Sequence, residues 1–243
     1  MLFIDSKNKK IENIIEWKNI FLNNPNKKHQ WKIGYSAYEL ANFMINKNGE
    51  NVVKIFLEKI LEDKLIFIKG HIEYVVKFDN FSHGREHDLG IWAKTKDQKN
   101  IFIGIEAKVN EPFYDTVEEM YIKCKVKELN GEKTNAPKRI EQLLKRHFKT
   151  INENHFKIRY QLLYSTIGTI DAKENKQFSD IPIFLIIVFK SEDYSIEKGK
   201  RNYDDFQYFL KQIKAQKILK KKGKEMYKIK IEEKELHVGY LEI

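Results

Sequence analysis

Two neighbouring stretches decide the fold of this 243-residue chain: residues 85–92 read REHDLGIW, and residues 101–108 read IFIGIEAK. In the second stretch apolar residues at the odd positions alternate with a set that ends in Glu106 and Lys108, which is typical of a β-strand. The polar residues 96–100 between the two stretches predict a β-hairpin. We therefore expect Glu106 and Lys108 to lie on one face of a sheet, about 6–7 Å apart along the strand.

The register of this hairpin decides which side chains meet. If the turn is centred on Gln98, Asp88 lies opposite Lys108, and Gly90 lies opposite Glu106. The missing side chain at Gly90 would then leave room for an ion between two carboxylates and a lysine. Carboxylate oxygens suit Mg²⁺, and a lysine beside the metal can orient or deprotonate a bound water. A surface strand with a Glu–Lys ion pair is the alternative interpretation of the same spacing.

Helical and strand periods along the rest of the chain predict one mixed α/β domain without repeats or linkers. Residues 11–22 have near-helical spacing, and Ser36 and Glu39 form a capping box that should start a helix over 36–46. From Ser36 the expected order is α-α-β-β-β-α-α-α-β-α-β-β. The further predicted elements are a helix with a stripe from Val52 to Ile60, strands at 71–79, 87–95 and 101–108, helices at 112–127, 137–149 and 158–173, a strand buried on both faces at 181–189, a helix at 203–214, and a closing hairpin at 226–231 and 236–242.

The composition describes a globular protein, because 42% of the residues are hydrophobic and 33% are charged. The single cysteine, Cys124, excludes an internal disulfide framework and a multi-cysteine zinc site. The first residues lack the pattern of a signal peptide, and the longest apolar run, at 181–189, is far too short to span a membrane. We therefore expect a cytoplasmic protein with no membrane partner.

The net charge of +10 comes from 45 basic and 35 acidic residues. Lysine abundance can reflect A/T-rich codons, or it can indicate a polyanionic partner such as nucleic acid. Ten lysines and three acids fall within residues 211–234, so +7 of the charge is concentrated there. This concentration favours a basic patch that includes Lys220, Lys221 and Lys222. The amphipathic helix with Arg139 and Arg146 is a second candidate phosphate-contacting surface, for which a solvated face is the alternative.

Asp88 and, eighteen positions later, Glu106-Ala107-Lys108 resemble the motif of the PD-(D/E)XK nuclease superfamily. The likeness covers residues 31–242 and extends to a group of bacterial members of that superfamily. It implies an α/β fold with a restriction-endonuclease-like mixed sheet, built on an αβββαβ core, flanked by helices and closed by a C-terminal β-hairpin. Residues 1–243 would form a single domain, with a helical extension at 1–30 and a basic segment and hairpin at 211–243. The further elements that carry the likeness are Ser36-Ala37, Leu40-Ala41, Glu106 to Phe113, Arg159 to Tyr164, Asp205-Phe206 and Leu236 to Tyr240.

The resemblance implies roles for the motif residues. Asp88 and Glu106 would hold Mg²⁺, for which Mn²⁺ can substitute, and the carbonyl of Ala107 would be a further ligand. Lys108 would be the catalytic lysine, and Gln161 would lie on a helix beside the site. His87 stands where many members have a proline, a position at which the superfamily tolerates change.

A catalytic acid on the first helix is harder to assign. Glu39 is the candidate by position, although its capping-box role explains it without catalysis. Glu73 and Glu111 are its rivals. Glu111 follows the strand of the motif and could instead favour a helix N-terminus.

The resemblance implies hydrolysis of nucleic-acid phosphodiester bonds, with double-stranded DNA favoured over RNA, and cutting of both strands would suggest a homodimer. A non-catalytic nucleic-acid-binding or regulatory module on the same fold is the alternative, and hydrolysis of a small phosphate ester is a third. The residues expected to contact nucleic acid are Arg85, His87, Arg139, Arg146, Arg159, Lys220, Lys221 and Lys222.

Overall fold

The computed structural model describes residues 1–243, which form eleven strands and eight α-helices. The strands are β1 (Leu2–Ile4), β2 (Lys10–Ile11), β3 (Leu65–Val76), β4 (Arg85–Thr95), β5 (Asn100–Lys108), β6 (Lys173–Glu174), β7 (Gln177–Phe178), β8 (Ile181–Val188), β9 (Gln216–Lys221), β10 (Lys224–Ile231) and β11 (Lys234–Glu242). The helices are α1 (Ile14–Leu22), α2 (Ser36–Asn46), α3 (Gly49–Leu61), α4 (Val117–Leu129), α5 (Ala136–His147), α6 (Glu153–Phe156), α7 (Tyr160–Ile170) and α8 (Ile196–Gln212).

Nine of the strands form one mixed sheet in the order β2-β1-β3-β4-β5-β8-β11-β10-β9. β3, β4 and β5 form an antiparallel meander. β8 then returns parallel to β5, with α4 to α7 lying between the two in sequence, and β11 lies parallel to β8. The chain therefore has an α/β fold with a large mixed sheet flanked by helices, as expected. β10 and β11 form the predicted hairpin.

Helices cover both faces of the sheet, which gives three layers. Leu89 and Ile103 pack with α1, α2 and α3, whereas Phe184 and Ile186 pack with α4, α5, α7 and α8. β8 alternates between the two cores, so the prediction of a strand buried on both faces is confirmed. None of the eight helices combines the length and the apolar character needed to cross a membrane.

The helices and strands expected from periodicity are present, but several boundaries differ. β3 begins at Leu65 rather than at 71, and α8 begins at Ile196 rather than at 203. The hydrophobic periodicity does not reveal the first turns of α8, because they carry few buried apolar residues, and Ile196 itself is exposed. β9 was not predicted, because it is an edge strand made largely of exposed polar residues, as edge strands often are.

The register of the β4–β5 hairpin differs by two residues from the expected one. Gly90 lies opposite Gly104, not opposite Glu106, because the turn has three residues, Lys96 to Gln98, and the last of them is left-handed with a φ of +64°. An even shift preserves which face each β5 residue occupies, so the predicted apolar face is confirmed. The expected room for an ion at Gly90 is absent, because the ring of Tyr74 fills that space.

The turn residue Gln98 offers a direct test of this geometry. Changing Gln98 to Gly should raise the free energy of unfolding by about 1 kcal/mol, because glycine adopts the left-handed conformation without the penalty of a side chain. For a chain of this size that corresponds to an increase in Tm of about 2–4 °C. Asp97→Gly is the matched control; Asp97 is not left-handed, so there glycine should only add flexibility and lower the Tm. Equal effects of the two substitutions would contradict the three-residue turn.

Candidate functional site

The alternation of β3 breaks at Glu73. This residue has a φ of +55°, in the left-handed region that costs a residue with a side chain about 1–2 kcal/mol. Before the break Ile72 faces the core under α1 to α3, whereas after it Val76 packs on the opposite side of the sheet. Glu73 therefore occupies a point where the strand changes face, and strained backbone of this kind clusters at functional sites.

β4 changes face at the same level. Leu89 packs with α1 to α3, but the ring of His87, two residues earlier, lies on the α7 side against Gly104. The backbone pairing of β4 with β5 stops at Leu89, and the Asp88 carboxylate accepts a hydrogen bond from the Ala107 amide instead (2.7 Å). The two strands thus separate at Asp88, beside the motif residues of β5.

Glu106 is the most heavily bonded acid at this point. Its Oε1 lies 2.9 Å from the Lys108 Nζ and accepts a hydrogen bond of 2.6 Å from the Gln161 side chain at the start of α7. Its Oε2 pairs with the Arg85 guanidinium at the start of β4. Glu106 and Lys108 are both buried, so this is no surface ion pair, and the orientation of the Glu106 carboxylate is held from three sides.

A lysine from the N-terminal extension completes the arrangement. Lys27, which lies after α1, contacts the carboxylates of Glu73 and Glu86 through its Nζ. Glu73 lies between residues of β3 that pair with His87 and Leu89, so it faces Asp88 across the strands. We call Glu73, Asp88 and Glu106 the acidic cluster.

The three carboxyls of the acidic cluster titrate differently. Burial raises the pKa of Asp88 well above its ordinary value, and the neighbouring carboxylates of Glu106 and Glu73 raise it further. Burial also raises the pKa of Glu73, against the opposing effect of Lys27. Burial acts in the same direction on Glu106, but Lys108 and Arg85 outweigh it and leave the pKa of Glu106 lowered. Asp88 therefore has no ion pair to offset the repulsion from the Glu106 and Glu73 carboxylates.

The other two candidate acids bond to backbone amides. Glu39 accepts a hydrogen bond from the Gly34 amide (3.1 Å), and the N-cap of α2 is Tyr35, so the predicted capping box at Ser36 is wrong. Glu111 accepts hydrogen bonds from the amides of Val109, Asn110 and Ser36. Burial acts to raise the pKa of Glu111, but hydrogen bonds that include those from Val109 and Ser36 outweigh it and leave the pKa lowered. Of the three rivals, only Glu73 lies close enough to Asp88 to raise its pKa.

Two residues expected to contact nucleic acid are buried within the site. Arg85 is 7% exposed and pairs with Glu106. His87 is fully buried, neither ring nitrogen has a hydrogen-bond partner, and burial lowers its pKa well below the ordinary value. The side chains of both residues turn inward because β4 changes face here, so neither is free to meet a nucleic acid in this structure.

Three further arginines expected to contact nucleic acid are paired with acids of the same chain. Each donates hydrogen bonds to an acidic partner, which is Asp79 for Arg139, Asp171 for Arg146 and Asp205 for Arg159. Their guanidinium groups are thus engaged within the chain. Lys220, Lys221 and Lys222, by contrast, are exposed, as a phosphate-contacting surface requires.

The donor chemistry of the acidic cluster fits a hard divalent cation. Asp88 and Glu106 supply carboxylate oxygens, and one oxygen of Asp88 accepts no hydrogen bond from the protein. A cation there would relieve the repulsion that raises the pKa of Asp88. No group of three or more His, Cys, Asp or Glu side chains encloses a metal position by itself. Mg²⁺ does not need one, since it commonly takes one or two carboxylates and fills its remaining positions with water and substrate phosphate.

Sequence reasoning missed Lys27 and Glu86, and it ranked Glu73 below Glu39. Nothing near Lys27 in the sequence marks it, because its partner Glu73 is 46 residues away. Glu86 and Arg85 stand beside the motif acid Asp88, and this concentration of charge at the start of a mostly buried strand was the available signal.

Asp88 should destabilise the folded protein when it is ionised. With no divalent cation present, Asp88→Asn should raise the Tm at pH 8 by several degrees, about 2–4 °C for each kcal/mol. A carboxyl whose pKa is higher in the folded than in the unfolded protein lowers the stability of the fold when it is ionised. This cost is zero below the unfolded pKa and largest above the folded pKa, so the gain in Tm from Asp88→Asn should shrink towards pH 4. Thermal melts across this range, with the exposed Asp97→Asn as control, measure the effect. A lower Tm for Asp88→Asn at pH 8 would contradict the proposed repulsion.

Lys27 should stabilise the carboxylate of the half-buried Glu73. Lys27→Met should lower the free energy of unfolding by about 2–4 kcal/mol, because it leaves a carboxylate without its cation. Adding Glu73→Gln should restore part of the loss, since the amide needs no counter-charge. Lys10→Met is the control, because its pair with Glu12 is exposed and such pairs contribute little. Denaturant titrations of the four proteins measure the cycle, and strict additivity would refute the coupling.

Comparisons with known proteins place the chain in a family but do not assign an activity. No curated protein and no solved structure matches it. One family model, described as "Domain of unknown function (DUF6946)", matches residues 10–243 and so includes every residue of the acidic cluster as well as Lys27 and Lys108. The chain belongs to the DUF6946 family.

Proposed function

We propose that this protein is a metal-dependent nuclease of the PD-(D/E)XK type that hydrolyses phosphodiester bonds of double-stranded DNA. The observation that carries the proposal is the meeting of Asp88, Glu106 and Lys108 where β4 and β5 separate, with Gln161 of α7 donating to Glu106. The order of elements supports it, because a helix, three antiparallel strands, a helical crossover and a strand parallel to the third correspond to an αβββαβ core.

Each residue of the site suits a step of hydrolysis. Asp88 and Glu106, with the Ala107 carbonyl, would hold Mg²⁺, which supplies charge stabilisation and a more acidic water. Lys108 Nζ, 2.9 Å from Glu106, is positioned to orient the attacking water and to stabilise charge on the phosphate oxygens. Arg85 and Gln161 keep the Glu106 carboxylate in one orientation. The water oxygen would bond to phosphorus, the P–O bond to the leaving group would break, and one proton of the water would pass to the leaving oxygen, so that a phosphomonoester and an alcohol result.

A non-catalytic nucleic-acid-binding module on the same fold is the second candidate. The ion pairs of Arg85 with Glu106 and of Lys27 with Glu73 favour it, since they neutralise two acids without a metal. Such a module would need no divalent cation. Calorimetric titration with Mn²⁺ separates the two candidates, because the nuclease should bind the ion in wild type and lose binding in Glu106→Gln.

The nuclease proposal predicts metal-dependent cleavage that depends on Lys108. With a labelled DNA duplex and Mg²⁺, Lys108→Met should reduce the cleavage rate at least about 100-fold, as is typical of losing a group that assists proton transfer. Arg85 remains paired with Glu106, so the variant should fold, which circular dichroism would check. Lys96→Met, in the exposed β4–β5 turn, is the control. Failure of wild type to cleave DNA with either Mg²⁺ or Mn²⁺, or full activity of Lys108→Met, would overturn the proposal.

A further inference from the structure

We propose that the DNA duplex lies along one end of the sheet, from the acidic cluster to the lysines around the β9–β10 turn. The proposal rests on the nuclease function above, and it adds the surface that holds the substrate and the length of duplex that this surface covers. These lysines are Lys220, Lys221 and Lys222, and we call them the turn lysines.

Strand pairing puts the acidic cluster and the turn lysines at the same end of the sheet. Lys108 at the end of β5 lies beside Val188 of β8, and Val188 lies beside Glu242 of β11. Leu241 of β11 pairs with Lys224 of β10, and Lys224 pairs with Lys221 of β9. A continuous line of neighbouring strand ends thus runs from the catalytic lysine to the turn lysines.

The number of strands gives the distance along this line. β9 is four strands away from β5, and at about 4.8 Å for each spacing the turn lysines lie about 19 Å from the site. At about 3.4 Å for each base pair, this distance covers roughly five to six base pairs of duplex. One duplex can therefore reach both places at once, whereas a small phosphate ester cannot.

The turn lysines border a built cavity and do not belong to a loose tail. With Lys190 they line a cavity of about 410 Å³. The floor is made by Glu225, which is buried and accepts hydrogen bonds from the hydroxyls of Tyr203 (2.7 Å) and Tyr227 (2.5 Å). Lys220 lies over the ring of Tyr203, at 5.7 Å from its centre. These contacts hold the hairpin and the Lys220 side chain in place. Lys220 also lies 3.9 Å from the Glu225 carboxylate, so Lys221 and Lys222 carry the unmatched charge of this turn.

Further cations lie between the two ends of the line. Lys190 follows β8; its side chain is half-exposed, but its charge is matched by Glu242 at 2.7 Å. α8 follows from the same end of the sheet, and exposed Lys198, Lys200 and Arg201 lie in its first two turns. Exposed Glu192, Asp193 and Glu197 precede these cations, so charges of both signs lie between the site and the turn lysines, and the turn lysines supply the proposed contact with the phosphate backbone.

The test compares two sets of three lysines in the full-length chain. Lys220, Lys221 and Lys222 are changed together to Gln, which removes three charges without placing an acid beside Glu225. The control changes Lys64, Lys96 and Lys99 to Gln; these lie at the opposite end of the sheet, where Leu65 pairs with Thr95, and are exposed. Anisotropy with a labelled 24-base-pair duplex in EDTA measures Kd over a range of salt concentrations, and cleavage in Mg²⁺ is measured separately.

The turn-lysine variant should bind the duplex at least about 10-fold more weakly than wild type. The slope of its plot of log Kd against log salt concentration should decrease by about 2–3, since each lost phosphate contact removes about 0.9 from the slope. The control should change Kd by less than about 2-fold. Equal losses in both variants, or no loss in the turn-lysine variant, would overturn the proposed path even if wild type cleaves DNA. Selective loss of binding would uphold the path even if no cleavage is found, in which case only the nuclease function fails.

Discussion

The balance of charge where β3, β4 and β5 separate is the constraint on which this structure depends. Four carboxylates (Glu73, Glu86, Asp88 and Glu106) share this region with the three cations Lys27, Arg85 and Lys108. One negative charge is therefore unmatched, and it falls on Asp88, which has only a backbone amide as donor. Leaving a half-buried charge without a counter-charge is costly, so a proton on Asp88 or an added cation would stabilise the arrangement. A positive ion bound there would match this charge, which is the role that the proposed function gives to Mg²⁺.

The fold supports this arrangement by holding its members on different elements. The sheet supplies Glu73, Asp88 and Glu106, the crossover helix α7 supplies Gln161, and the N-terminal extension supplies Lys27. Both faces of the sheet are covered by helices; within the cluster Glu106 is buried, which strengthens its charge interactions, whereas Glu73 and Asp88 are half-buried. The N-terminal extension is thus part of the site through Lys27.

The sequence allowed the α/β class and the faces of β5 to be predicted, because these follow from short-range periodicity, whereas the roles of the motif residues rest on a family resemblance and stay a prediction. The register of the hairpin could not be obtained, since it depends on Gln98 adopting a left-handed conformation that its residue type does not indicate. The change of face at Glu73 could not be predicted either, because its residue type does not indicate a left-handed backbone. The inward direction of Arg85 and His87 was missed with it. Lys27 could not be found at all, because tertiary packing alone brings it to Glu73. Strand faces that follow from regular alternation were therefore predictable, whereas the register and the changes of face, which follow from interruptions of the alternation, were not.

The two kinds of basic residue are used differently in this chain. Four of the five arginines (Arg85, Arg139, Arg146 and Arg159) pair with acids inside the protein, which suits a planar group that donates several hydrogen bonds at once. The lysines supply most of the exposed positive charge. A surface that meets DNA through lysines contacts phosphates as point charges and reads few base edges, since paired hydrogen bonds to guanine come mainly from arginine. If DNA is the substrate, its binding to this surface should therefore depend strongly on salt and weakly on sequence, and any selectivity would have to arise at the acidic cluster or from the shape of the duplex.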